Sequence, residues 1–182
     1  MIHLKSGDFI RSAAVALLFG YIFLDCTNFH EVTPGALYRS RQLSVNQFDH
    51  IIKKYKIKTV INLRGASPDA QWYKDEIKTM QMDSVVHLDF ALSAVRYMPP
   101  QRIDSIIGIA ASETKPVLVH CQGGADRSGL FCAAWKLKVE GAPVNKASKQ
   151  LSFVYGHIPY FIWSKTKAMD SSFVSYARML SK

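Results

Sequence analysis

The stretch His120-Cys121-Gln122-Gly123-Gly124-Ala125-Asp126-Arg127-Ser128-Gly129 constrains this chain more than any other. Apolar Val117-Leu118-Val119 runs into it as a strand, and Leu130 to Val139 runs out of it as a helix, with a Gly-rich loop between them. A strand end, a loop and a helix start together make an anion cradle. Successive backbone N–H groups turn inward, and the helix dipole adds partial positive charge at the same point. The anion such a cradle favours at position 121 is a thiolate. Arg127 adds a fixed cation whose fork matches two phosphate oxygens. A free core cysteine would need neither the glycines nor the arginine.

The rest of the chain supplies a frame for that loop. Thr33-Pro34-Gly35 is a turn, and Ala36 to Ser40 a short first strand. Ser44 caps a helix through Tyr55, with Val45, Phe48, Ile51, Ile52 and Tyr55 on one face. Thr59 to Leu63 is a buried strand ended by Arg64-Gly65. Ser67-Pro68-Asp69 opens a helix through Met80. Ser84 to Phe90 is a strand, Pro99-Pro100 begins a helix through Ala111, and Pro116 to His120 is the strand feeding the loop. Helices over Val144 to Tyr155 and Thr166 to Leu180 complete the chain. Strands alternating with helices predict an α/β fold, a mostly parallel sheet of four to five strands flanked by helices, preceded by an apolar N-terminal helix. Ligands of such sheets bind beyond the carboxyl ends of the strands, where Cys121, Arg64 and Phe90 fall.

The 182 residues suffice for one ordinary domain, taken as residues 31–182. Net charge is +9, and after Trp135 eight cations (Lys136, Lys138, Lys146, Lys149, Lys165, Lys167, Arg178 and Lys182) face only Glu140 and Asp170. A basic face suits acidic substrates or anionic lipid. Neither zinc-ligand spacing nor an aromatic-interleaved basic motif points to nucleic acid. Cys26, Cys121 and Cys132 are an odd count at irregular spacing and form no disulfide framework. Residues 1–30 form a separate segment, in which the uncharged run Ser12 to Leu24 follows Lys5 and Arg11. It is short for a span and fits an uncleaved signal-anchor, a cleaved signal or a buried helix. Membrane association through residues 10–24, with residues 31–182 on the outer side of the inner membrane, or export, is the expected localisation, with the cytoplasm as the alternative. Arg39 and Arg41 weaken that orientation.

The loop resembles the Cys-x5-Arg-Ser signature of protein tyrosine and dual-specificity phosphatases, including the preceding His120 and following Ser128-Gly129. Leu37-Tyr38-Arg39-Ser40, Val60 to Gly65 and Tyr155-Gly156-His157 extend the likeness to the compact bacterial and fungal dual-specificity type over residues 35–182. The resemblance implies a cofactor- and metal-independent phosphatase. Cys121 attacks phosphorus and forms a phosphocysteine. Arg127 and the loop residues Gln122, Gly123, Gly124, Ala125, Asp126 and Ser128 hold the phosphate oxygens. Ser128 hydrogen-bonds the thiolate as it leaves, and His120 orders the loop from behind.

The leaving group needs a proton. Asp89, at the end of the third strand, ranks first as its source, although no Trp-Pro-Asp surrounds it. Asp126 ranks second, because beside Arg127 it also suits orienting the guanidinium. Asp104 lies too deep in its helix. Arg64 suits either a substrate contact or a loop cap, His157 a local cap rather than the pocket wall, and Trp72 and Tyr73 packing. The expected partners are phosphorylated proteins or lipids. An inositol polyphosphate ranks lower, since the loop adds no lysine. A catalytically silent phosphate-binding module and a sulfur-transfer enzyme are the competing classes.

Overall fold

The computed structural model describes residues 27–160 and 164–182. Two short strands, β1 (His30–Thr33) and β2 (Leu37–Ser40), open it as an antiparallel hairpin. Then come α1 (Val45–Tyr55), β3 (Thr59–Asn62), α2 (Gln71–Met82), β4 (Val86–Asp89), α3 (Pro100–Ser112) and β5 (Val117–His120). After the loop follow α4 (Asp126–Lys138), the single turn α5 (Val144–Ala147), two 3₁₀ turns (Ser148–Gln150 and Phe153–Tyr155) and α6 (Lys167–Leu180). The sheet order is β1-β2-β5-β3-β4, and β2, β5, β3 and β4 are mutually parallel. This is the expected α/β architecture at the upper end of the expected strand number.

Side chains alternate across the sheet and so build two cores. On one face Tyr38, Val60 and Leu118 pack against Phe48, Ile51 and Ile52 of α1. On the other, Leu37, Ile61, Val117 and Val119 meet Ile103 and Ile107 of α3, Leu130 and Trp135 of α4, and Phe173 and Tyr176 of α6. The helices over both faces leave the carboxyl ends of β5, β3 and β4 side by side, with His120, Asn62 and Asp89 at one register level.

Four expectations change. β1 is an additional edge strand whose polar sequence His-Glu-Val-Thr carries no apolar alternation. The helix expected from Ser67 begins at Gln71, after a turn in which Ala70 N–H donates to Ser67 O at 2.9 Å. α4 begins at Asp126 rather than Leu130, so Arg127 and Ser128 stand on its first turn. The helix expected over Val144 to Tyr155 stops at Ala147. There the chain lies directly on Gly129, where a Cβ would come within 2.9 Å of Gln150 O, and Arg39 takes that carbonyl at 3.0 Å. Tertiary contacts override the local helical pattern. The apolar run Ser12 to Leu24 lies outside the described residues; among the described residues no helix is long and apolar enough to cross a membrane.

Candidate active site

The loop after β5 is held from outside by its carbonyls. His120 O accepts from Leu63 N–H at 2.9 Å, Gln122 O from Gln42 N–H at 3.3 Å, and Gly123 O from Asn28 Nδ2 at 3.0 Å. Arg39 Nη2 donates to Gly124 O at 2.7 Å and to Ala125 O at 3.1 Å. In a planar trans peptide the C=O and the next N–H point in opposite directions. Carbonyls turned outward at 122–125 therefore turn the N–H groups of Gly123, Gly124, Ala125 and Asp126 inward, onto the N-terminus of α4. An inward ring of amides is what an anion cradle requires.

Gly124 is required by position. Its φ is +69°, and a Cβ there would lie 2.6 Å from Arg41 N and Ser40 C. The loop is thereby pressed onto the end of β2. Cys121 sits at its base, 2% exposed. Ser128 is fully buried, and its Oγ and Arg127 Nε make no hydrogen bond within the protein. Arg127 Nη1 reaches Leu63 O at 3.4 Å and Leu92 O at 3.3 Å, which ties the guanidinium to the ends of β3 and β4.

Behind the loop stands a polar network that the sequence did not announce. Glu76, on α2, is 1% exposed. Its Oε1 accepts from His120 Nε2 and from His87 Nε2, each at 2.8 Å, and its Oε2 from Gln42 Nε2 at 2.7 Å. Burial opposes its charge, but these bonds outweigh burial and bring its pKa from 4.5 to about 2. Gln42 Oε1 accepts in turn from Arg64 Nη1 at 2.8 Å, and the Arg64 guanidinium lies 3.5 Å over the Trp72 ring. Partial burial and the nearby Arg127 lower the Arg64 pKa. Arg64 thus belongs to the site's electrostatics rather than to a loop cap, and Trp72 is its platform. Arg39, entirely buried, is no surface charge at all; it struts the loop, bonds Gln150 and lies 4.1 Å from the Tyr155 ring centre. A charged residue inside a four-residue strand gives no periodic signal. Its one visible mark is its place in Leu37-Tyr38-Arg39-Ser40.

The two acid candidates stand differently. Asp89 shares its register level with His120, two strands away, and faces the α2 side. Its Oδ1 accepts from Asn62 Nδ2 at 2.7 Å and its Oδ2 from the Tyr73 hydroxyl. Tyr73 is therefore more than packing, and burial together with Asp89 pushes its pKa up to about 12. Asp126 opens α4 and lines a cleft of about 460 Å³ together with Asn28, Arg41, Gly123, Ala125, Val154, Tyr155 and Gly156. Its Oδ1 accepts from His157 Nδ1 at 2.7 Å, and His157 Nε2 donates to Asp170 Oδ2 at 3.0 Å. Burial opposes a charge on His157, but the two carboxylates prevail and raise its pKa. His157 is thus a buried bridge to α6, not a local cap. Asp104 pairs with Lys138 at 2.6 Å and Tyr176 at 2.9 Å, away from the loop. Burial pushes Cys132 up to about 11.

Known structures share this arrangement of strands and helices. TpbA of P. aeruginosa matches with a TM-score of 0.65 at 20% identity, over 86% of this chain and 92% of that one. Tk-PTP in its active form matches with a TM-score of 0.65 at 16% identity, over 83% and 97%. The core catalytic domain of the PP-IP phosphatase SIW14 from S. cerevisiae matches with a TM-score of 0.63 at 15% identity, over 85% and 90%. No curated protein matches the chain in sequence. At the level of families, residues 38–162 match the model of the dual specificity phosphatase catalytic domain. That span takes in more than half of the chain, β2 from Tyr38, the loop and both 3₁₀ turns among it, and on it the chain belongs to the dual specificity phosphatase family.

Proposed function

We propose that this protein hydrolyses phosphomonoesters through a phosphocysteine. The observation that carries the reading is the set of outward-anchored carbonyls from Gln122 to Ala125, which leaves four amides to surround a dianionic phosphoryl group above Cys121. The thiolate attacks phosphorus in line with the ester oxygen; the S–P bond forms and the P–O bond breaks. Arg127 and the loop amides bind the equatorial oxygens, most tightly when charge spreads over them in the transition state. Water then attacks phosphorus, the S–P bond breaks, and the Ser128 hydroxyl donates to the departing thiolate.

For the proton we favour Asp126 over Asp89. Asp126 lines the cleft beside Gly123 and Ala125 with its Oδ1 on His157 Nδ1, a buried imidazole with which it can share a proton, whereas both oxygens of Asp89 are held by Asn62 and Tyr73. Asp126 protonates the leaving oxygen in the first step and takes the proton of the attacking water in the second. A structure of TpbA in complex with pTyr supports a phosphorylated substrate here too.

The test is release of phosphate from an aryl phosphate with chelator present. The expected result is turnover by the native protein and a loss of at least a thousandfold in Cys121→Ser, with the fold retained by circular dichroism. Unchanged turnover in that variant ends the reading. Tight phosphate binding without turnover would make the protein a binding module instead.

A further inference from the structure

Resting on that reading, we infer that the substrate is a phosphomonoester headgroup standing in a lipid bilayer, and that the rim of the cleft docks on the bilayer surface. Three observations converge on residues 153–160. Val154 and Tyr155 line the cleft that Asp126 and Gly123 open onto. Val154 itself is 76% exposed, and Phe153 and Tyr160, before and after it in the chain, are 79% and 83% exposed, large apolar and aromatic side chains standing almost entirely in water. Lys149, Lys165 and Lys167, all exposed, flank them in the chain. Exposed aromatic and aliphatic residues between lysines make the composition of an interfacial anchor: rings at headgroup level, ammonium groups among lipid phosphates.

The entry of the chain decides between a bilayer and a peptide. Asn28 Nδ2 donates to Gly123 O and to Tyr155 O, each at 3.0 Å, so the polypeptide joins the domain at the cleft itself. Asn28 stands four positions after Leu24, the end of the uncharged apolar run. Extended chain spans at most 3.3–3.6 Å per residue, a reach of roughly 14 Å. On this inference the apolar phase that takes up that run lies within that reach of the cleft mouth and of the exposed Val154 that lines it. The exposed Lys149, Lys165 and Lys167 draw these residues to anionic lipid. A phosphopeptide would use the lysines but gives no reason for Phe153 and Tyr160 to stand in water.

The experiment uses the full chain and the double variant Phe153→Ser/Tyr160→Ser. Substrates are phosphatidic acid in vesicles of phosphatidylcholine and phosphatidylglycerol, a short-chain water-soluble phosphatidic acid, a tyrosine-phosphorylated peptide and an aryl phosphate. The variant is expected to lose at least tenfold in kcat/KM on vesicles while keeping native rates on all three soluble substrates. Equal vesicle rates in the two proteins overturn the proposal. So does a loss that reappears on the phosphopeptide, which would mark the rim as a protein-docking surface. Turnover of aryl phosphate with none on vesicles overturns the lipid assignment and leaves the phosphatase reading standing; no turnover of any ester removes both.

Discussion

A carboxylate beside the cradle and a carboxylate behind it have opposite duties. Under the proposed mechanism Asp126 has to hold a proton at the right moment, so its replacement should show in the pH profile. In Asp126→Asn the alkaline limb of kcat/KM on an aryl phosphate is expected to disappear with a fall of about 10²–10⁴ in rate, while Asp89→Asn keeps the limb and changes mainly thermal stability. The reverse pattern returns the acid role to Asp89. Glu76 has to stay charged. Its pKa falls from 4.5 to about 2 on folding, so the stability it lends is complete above 4.5 and drains away as pH drops toward 2. Native protein should therefore lose urea resistance across that acid window. Glu76→Gln should lack that part of the slope and be weaker at neutral pH by about 1.5–3 kcal/mol, the worth of hydrogen bonds to a buried charged group. Urea midpoints measured from pH 2 to 7 check both.

At the scale of elements, the strand, loop and helix around Cys121 form one unit whose shape depends on what touches it from behind. Gly124→Ala would drive a methyl into the β2 backbone, 2.6 Å from two of its atoms, at a positive φ. A displacement of about 1 Å in such a loop is worth about a hundredfold in rate, and that is the loss expected on an aryl phosphate. Gly123→Ala, whose Cβ meets nothing within 4 Å, should lose far less. The strand, the glycines and the helix were legible because each has a local signal: an apolar run, a turn residue, a 3.6 period. The place of Cys121 at the strand end was legible from the same signals, whereas Arg127 and Ser128 were expected in the loop and stand on the first turn of α4. Glu76, Gln42, Arg39 and Asn28 were not, because they act on the loop from α2, from the hinge after β2, from within β2 and from the chain before β1. Only the sheet order β1-β2-β5-β3-β4 brings those together. The broken helix after Ala147 was illegible for the same reason: Arg39 and Gly129 shape it from across the fold.

Over the whole molecule, two hydrophobic cores clamp the sheet, and the chemistry is confined to the end where the parallel strands stop. His157 fastens that end to α6 through Asp126 and Asp170. Its raised pKa means that the bridge contributes fully below pH 6.5 and weakens as pH climbs through the elevated value. His157→Gln should therefore reduce the melting temperature more at pH 6 than at pH 9, which a pair of calorimetric scans reads directly. Arg39 ties another knot at the same end: one guanidinium grips the carbonyls of Gly124 and Ala125 and, through Gln150 and Tyr155, the wall of the neighbouring cleft. Evolution cannot reshape that wall for a new ester without retuning the cradle, so changes in substrate preference along this lineage should arrive as paired substitutions on either side of one buried cation.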